Sequence, residues 1–223
     1  MISTMKPENI AIRLREVKII LAVFYFVGVI GIIVPVTSSF FLDLIPYALL
    51  FSFILLAIFH DPIVDSKTLI VFSGIYLLSF FVEVIGVNSG FIFGEYRYGN
   101  NLGIKLLNTP LIIGINWLIL VYITASVTWK LKIPGVLKII TASAIMLVYD
   151  IILEQLAPVL DMWHWENFRV PLQNYLAWFI LALIFHSAIK FLGIQIRNKL
   201  ALIMLICQSG FFLSLYMIYK IVN

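Results

Sequence analysis

Seven stretches of about twenty residues, each apolar enough to cross a bilayer, constrain this chain more than any other feature. They lie at roughly 18–36, 40–59, 68–88, 110–129, 135–158, 173–192 and 200–221. In lipid the backbone polar groups of such a segment must be satisfied within the segment, so each is read as a helix. Pro35 closes the first stretch, and Pro110, Pro134 and Pro171 stand at or near helix starts, where a missing N–H costs little. The second stretch holds Asp43 and Pro46. The expected fold class is all-α: a polytopic membrane protein of about seven transmembrane helices, forming a single integral membrane domain over residues 1–223. Composition agrees, since 63% of residues are hydrophobic, 12% are charged and the mean hydropathy is +1.10. A water-soluble globule does not have that balance.

Charge then orients the spans. Lys6, Arg13, Arg15, Lys18, Lys67, Lys130, Lys132, Lys138, Lys190, Arg197 and Lys199 flank one side, whereas Arg97, Lys105, Arg169 and Lys220 flank the other. By the positive-inside rule the N-terminus is expected in the cytoplasm and the C-terminus outside, in the cell's inner (cytoplasmic) membrane. The net charge of +4 comes from these short loops and calls for no nucleic-acid partner. The lone Cys207 lies in an apolar run, which gives neither a disulfide framework nor a redox motif. No cleavable leader is expected, because a long polar segment precedes the first apolar run and no small-residue cleavage site follows it.

Against this apolar background one polar stretch stands out, Tyr149 to Trp178. Asp150 and Glu154, four residues apart, share one helix face. A loop with Trp163, His164, Trp165, Glu166 and Arg169 follows, and Pro171, Asn174 and Trp178 open the next helix. An interfacial aromatic belt would account for the tryptophans but not for the acids. The topology brings further polar residues to the same outer half: Glu83 and Asn88 late in the third span, Asn116 and Trp117 early in the fourth. The connection from Ser89 to Thr109, SGFIFGEYRYGNNLGIKLLNT, is aromatic and carries glycines at 90, 94, 99 and 103. It is expected to form a re-entrant or interfacial loop between helices 3 and 4, covering the outer end of the bundle; a plain surface loop is the alternative.

Intramembrane carboxylates are costly and are functional candidates by default. Here they are Glu83, Asp150 and Glu154, with Glu95 in the covering loop and Asp43 as outlying candidates. An apolar surrounding favours the neutral, proton-donating form of a carboxyl group, and two neighbouring acids often divide into one acid and one base. The aromatic faces of Trp163, Trp165, Trp178, Tyr96, Tyr98 and Tyr149 suit a positive charge. Acid, base and aromatic wall together fit proton-initiated chemistry on an olefin through a carbocation. The competing reading is structural: acids bonded to Asn88, Asn116, Asn174 or Arg97 lock the bundle. Three scattered histidines, His60, His164 and His186, provide no metal site, and His186 reads as an interhelical hydrogen bond. A phosphate-binding loop, a dinucleotide fingerprint, a nucleophile elbow and a mid-membrane lysine for a retinal Schiff base are all missing from the sequence.

At these two stretches the sequence resembles the membrane proteins of carotenoid biosynthesis, of the carotenoid hydratase type. One signature is Phe93, Gly94, Tyr96, Tyr98, Leu102, Gly103, Pro110 and Trp117; the other is Asp150, Glu154, Trp163, Trp165, Val170, Pro171, Leu172, Asn174 and Trp178. The chain departs from the pattern at Glu154, where the family has Asp followed by Pro. It departs also at Asp161, where a small residue is usual, and at the polar Asn116. The resemblance implies a cofactor-independent hydratase, with an acyclic (ψ) carotenoid and water as substrates within the lipid bilayer. Water would add across the terminal double bond to give a tertiary hydroxyl. Asp150, Glu154, Glu83 and Glu95 are then the candidate catalytic residues, with Glu154 or Asp150 as the acid and the other, or Glu83, positioning water. Tyr96, Tyr98, Asn116, Trp117, Trp163, Trp165, Asn174 and Trp178 are the candidate substrate-binding residues. A non-catalytic carotenoid- or lipid-binding protein, or a scaffold for carotenoid enzymes, is the alternative.

Overall fold

The computed structural model describes residues 7–222, with side-chain surroundings described for 13–221; Lys6, counted above in the charge asymmetry, lies outside the described residues. The chain is mostly helical. Its helices are α1 (Pro7–Ile33), α2 (Pro35–Asp43), α3 (Ile45–Ile58), α4 (Ser66–Ser89), α5 (Ile112–Thr128), α6 (Gly135–Glu154), α7 (Leu172–Phe191) and α8 (Ala201–Val222). Among the described residues five helices are long and apolar enough to cross a membrane: Arg13–Ile33 within α1, then α4, α6, α7, and Ala201–Ile221 within α8. Taking α2 and α3 as one broken span makes six.

The expected second span is therefore not continuous. It breaks at Leu44, and α2 and α3 meet at a 55° bend. Proline explains both joints: Pro35 and Pro46 each sit in the first turn of a helix, where proline fits and where the preceding helix cannot continue through it. The expected fourth span becomes α5, an apolar helix of 17 residues. It is buried on almost every side and packs against α3, α4, α6, α7 and α8. An all-round apolar sequence is what a central position requires. Gly114 lets α4 close on it, since a Cβ there would stand 2.7 Å from the Tyr76 ring. Around this core α6 packs along α7 and α1 along α8, while Phe26, Ile58, Ile70, Phe81, Ile180 and Ile206 face outward.

Helix ends bring the polar residues together. α4 starts at Asp65, whose carboxylate accepts the Thr68 N–H at 2.8 Å, and stops at Gly90 in the left-handed region (φ 65°). α4 and α6 end, and α5 and α7 begin, at the same end of the bundle. There the connections between the helices are not plain loops, because they form two short antiparallel ribbons. β1 (Tyr96–Tyr98) pairs with β4 (Trp163–Trp165), and β2 (Lys105–Leu106) pairs with β3 (Thr109–Pro110). The first ribbon ties together two loops some sixty-five residues apart, in the register Tyr96–Trp165, Arg97–His164, Tyr98–Trp163. Further bonds pin the covering segment: Asn88 Nδ2 donates to Leu107 O at 3.0 Å, and Asn101 Nδ2 donates to Leu160 O at 2.8 Å. Gln173 Nε2 donates to Phe91 O.

Candidate functional site

Strand alternation builds the outer wall of the site. In β1 and β4 successive side chains point to opposite faces, so Tyr96, Tyr98, Trp163 and Trp165 all turn inward while Arg97 and His164 turn outward. Glu95, one residue before Tyr96, shares the outward face and is exposed, apart from the other acids. The inner floor comes from helix ends: Glu83 on α4, Asn116 and Trp117 on α5, Glu154 on α6, Asn174 and Trp178 on α7. Trp117 and Trp178 stack with centroids 4.0 Å apart.

Two carboxyl groups anchor this wall. Glu83 Oε2 accepts the Tyr96 hydroxyl at 2.6 Å and the Tyr98 hydroxyl at 2.7 Å, and its Oε1 accepts Trp117 Nε1–H at 2.9 Å. Glu154 Oε2 accepts the indole N–H of Trp163 at 3.0 Å and of Trp165 at 2.7 Å, and its Oε1 accepts Asn174 Nδ2 at 3.1 Å. Both side chains are buried. Burial first, and then the neighbouring Glu83, hold the Tyr96 and Tyr98 phenols well above their ordinary range, so both keep the proton that they donate. Asp150 lies behind Glu154. Its Oδ2 accepts the same Asn174 amide at 3.3 Å, while its buried Oδ1 has no hydrogen-bond partner.

Between the two glutamates is a cavity of about 20 Å³. A buried water needs roughly 10–15 Å³ and two to four polar partners, so the space suits one water and is far too small for an isoprenoid end group. All eight candidate substrate-binding residues line it, together with Glu83 and Glu154. Phe93, already part of the first signature, and Ile113 complete the lining; in a chain this apolar nothing in residue type marks Ile113 as a wall residue. Asp150 reaches the cavity only through Asn174, and Glu95 does not reach it. Glu154 and Trp165 also border a second, half-polar groove of about 530 Å³ with Gln155, His164, Arg169 and Tyr175.

The residues offered by sequence as structural partners divide. Asn174 does bridge two acids. Asn88 instead bonds Val84 O and Leu107 O, and Arg97 is exposed. Asp161 adopts a left-handed conformation (φ 48°) and fastens the covering loop. Its Oδ1 accepts His164 Nε2 at 2.7 Å and its Oδ2 accepts Asn100 N–H at 3.0 Å, and these bonds draw its carboxyl below the usual range. Among the described residues no group of three or more His, Cys, Asp or Glu is arranged to hold a metal ion.

Comparison with known proteins matches residues 44–222 to a family described as "Carotenoid biosynthesis protein". Over 135 residues the chain is 30% identical to bisanhydrobacterioruberin hydratase of Haloarcula japonica. That match covers 53% of this chain and 43% of the archaeal protein, so the chain corresponds to less than half of that relative's length. No solved structure matches.

Proposed function

The chain belongs to the carotenoid biosynthesis protein family, and from that premise we propose that it hydrates the terminal double bond of an acyclic (ψ) carotenoid end group. The observation that carries the reading is the pair of buried glutamates facing each other across a one-water cavity walled by indoles and phenols. The sequence of steps is balanced without a cofactor. A carboxyl proton adds to the less substituted alkene carbon and leaves a tertiary cation at the more substituted one; water bonds to that cationic carbon; a carboxylate takes the surplus proton. The sum is alkene plus water to tertiary alcohol, with the acid regenerated.

Glu154 is the proposed proton donor, since it lines the cavity and also borders the wider groove through which substrate or water reaches it. Glu83, across the cavity, positions the water and accepts its proton, which passes back to Glu154 through the next water to enter the cavity and so regenerates the acid. Asp150, linked to Glu154 through Asn174, is a positioning residue: two carboxyl groups sharing one amide favour a state with one proton between them. Trp163, Trp165 and Tyr96 offer π faces to the cation. Room for the isoprenoid end requires the β1–β4 ribbon or the groove wall beside Trp165 to move. In the proposed topology α2–α3 count as one broken span and α5 as a short one, giving seven spans in a single membrane domain. The N-terminus is then cytoplasmic and the site lies in the outer half of the inner membrane. A polyene about as long as the ~30 Å core brings its end to that level, where water is available.

The test is expression in a bacterium that accumulates lycopene, with mass analysis of the pigments. A gain of about 18 mass units, one water per reacted end, supports the hydratase. Lycopene recovered unchanged, alongside an elongated acyclic carotenoid also unchanged, would sink it and favour a carrier.

A further inference from the structure

Glu154 and Trp165 are the residues that border both the one-water cavity and the half-polar groove of about 530 Å³. The Trp165 indole is the partition between the two spaces. It is buried, its ring centroid lies 5.1 Å from that of Tyr96, and its N–H donates to Glu154 Oε2 at 2.7 Å. The groove lies between the end of α6 and the start of α7, where Pro158, Phe168, Val170 and Tyr175 give it apolar surface. Beside it Ile151 on α6 and Leu176 on α7 are exposed, as lipid-facing residues of spanning helices are.

Two walls shut the cavity, and they are held differently. The β1–β4 ribbon is paired in three registers and extended by Gly99 N–H on Met162 O at 2.9 Å and Glu166 N–H on Glu95 O at 3.0 Å. Its side chains add the Tyr96 and Tyr98 bonds to Glu83 and the Trp163 bond to Glu154. Lifting the ribbon breaks these together. The Trp165 side chain turns between staggered rotamers with the backbone in place, at the loss of one hydrogen bond. The groove into which it turns is many times the ~30 Å³ share of one water.

We infer that the groove is the entry subsite for the branched, apolar end of an isoprenoid chain arriving from lipid, with Trp165 as its door and Glu154 as the latch. With the door shut, Glu154 Oε2 is covered by two indole N–H groups. Turning Trp165 outward uncovers that oxygen on the side from which the chain end arrives. The movement that admits the alkene therefore also frees the atom that meets it. The latch responds to the same proton, since an N–H bond to an ionised carboxylate is about twice as strong as one between neutral groups. The door is held tightly while Glu154 is charged and loosely once it carries the proton. The inference rests on the proposed hydration for the identity of the guest; the door itself does not.

The probe is dicyclohexylcarbodiimide, an apolar, branched reagent that enters from lipid, applied to the full chain in nanodiscs. It adds whole to a protonated carboxyl: the proton goes to a carbodiimide nitrogen and the carboxyl oxygen bonds to the central carbon. The adduct on Glu154 is followed by peptide mass analysis, apart from any hydration. Trp165→Phe, which keeps a ring but drops the latch, is expected to label Glu154 several-fold faster than the unaltered chain. Trp163→Phe removes a bond from the same oxygen but does not border the groove, and is expected to label more slowly than Trp165→Phe. Val170→Trp, which fills the groove from outside the cavity, is expected to slow labelling. A disulfide between Arg97→Cys and His164→Cys, an outward-facing pair in register, locks the ribbon and is expected to leave the rate unchanged. A rate that collapses with that disulfide would make the ribbon the door and overturn the inference. So would equal acceleration in Trp163→Phe, which would reflect a lost donor rather than an opened path, or indifference to Val170→Trp. A chain that labels as expected yet leaves lycopene unchanged would keep the door and lose the hydratase, so the two failures are distinct.

Discussion

The two ends of this bundle bury polar side chains in opposite ways. At the end away from the site, His186 is fully buried and joins three helices. Thr124 Oγ1 lies 2.9 Å from its Nε2, and Ser143 Oγ (3.0 Å) and Ala182 O (2.7 Å) lie beside its Nδ1. Nearby, Asn198 Nδ2 donates to Leu56 O and to the Tyr122 hydroxyl, which meets His60 Nδ1 at 2.6 Å. Neutral groups there both give and take, and the result is cross-linking of helices. At the site end the traffic runs one way: phenols, indoles and an amide all donate, and Glu83 and Glu154 only accept. Donors fixed on a carboxylate hold it in place and leave it able to meet positive charge or a proton, which a neutral network lacks. A space for one water lies between the acids. Burial of polar atoms is common to both ends; polarity of one sign around a cavity separates a site from a brace.

The sharpest way to break the comparison is to neutralise the acids without changing their shape. Glu154→Gln is expected to lower hydration in the lycopene strain by about 100-fold or more, the usual share of a general acid, while the folded protein is still recovered from the membrane. Glu83→Gln turns an amide N–H toward the Trp117 or tyrosine donors and is expected to cost nearly as much. If either variant hydrates normally, the one-way network is a brace after all.

The opposite end supplies the control. His186→Leu leaves at least Thr124 and Ser143 without their cross-helix partner, deep in the bundle. The expected cost is about 1–3 kcal/mol of stability, read as earlier thermal unfolding in detergent, with the ratio of product to substrate per folded molecule unchanged. A fall in that ratio would mean that the two ends are coupled and that the division drawn above is wrong.

Sequence made one level of this structure legible and hid another. Apolar runs of about twenty residues announce helices because lipid leaves the backbone few alternatives, and α1, α4, α6, α7 and α8 lie where those runs lie. The break at Leu44 stayed hidden because hydropathy does not register a bend; Pro46, in the first turn of α3, was the available sign. Tyr-Arg-Tyr and Trp-His-Trp alternate as strands do, yet each is three residues long and pairs across some sixty-five residues, too little for local pattern to reveal. That missed pairing also explains Glu95: a carboxyl beside Tyr96 looks close to the acids until alternation turns it outward. Proximity of Glu83 to Asp150 and Glu154 followed from counting helix ends, whereas its tyrosine and tryptophan donors came only with the fold.

The smallest expected effect concerns how the cover is fastened. Asp161 takes bonds from His164 and from the Asn100 N–H, and its side chain is 39% exposed, so solvent limits its contribution to at most about 1 kcal/mol. Its carboxyl is depressed first by the His164 hydrogen bond and then by the Asn100 backbone. A depressed carboxyl contributes its stability above its unfolded value and loses it as pH falls through the folded value. The covering loop at residues 99–101 is therefore expected to keep its amide-exchange protection from neutral pH down to the ordinary carboxylate range. Below that range it should lose protection while the helices do not. Asp161→Asn keeps a residue that tolerates the left-handed conformation but sets an amide against the Asn100 N–H. In that variant the loop should exchange faster at neutral pH and show little further change on acidification. A loop whose protection falls with pH equally in both proteins would be fastened by something other than Asp161.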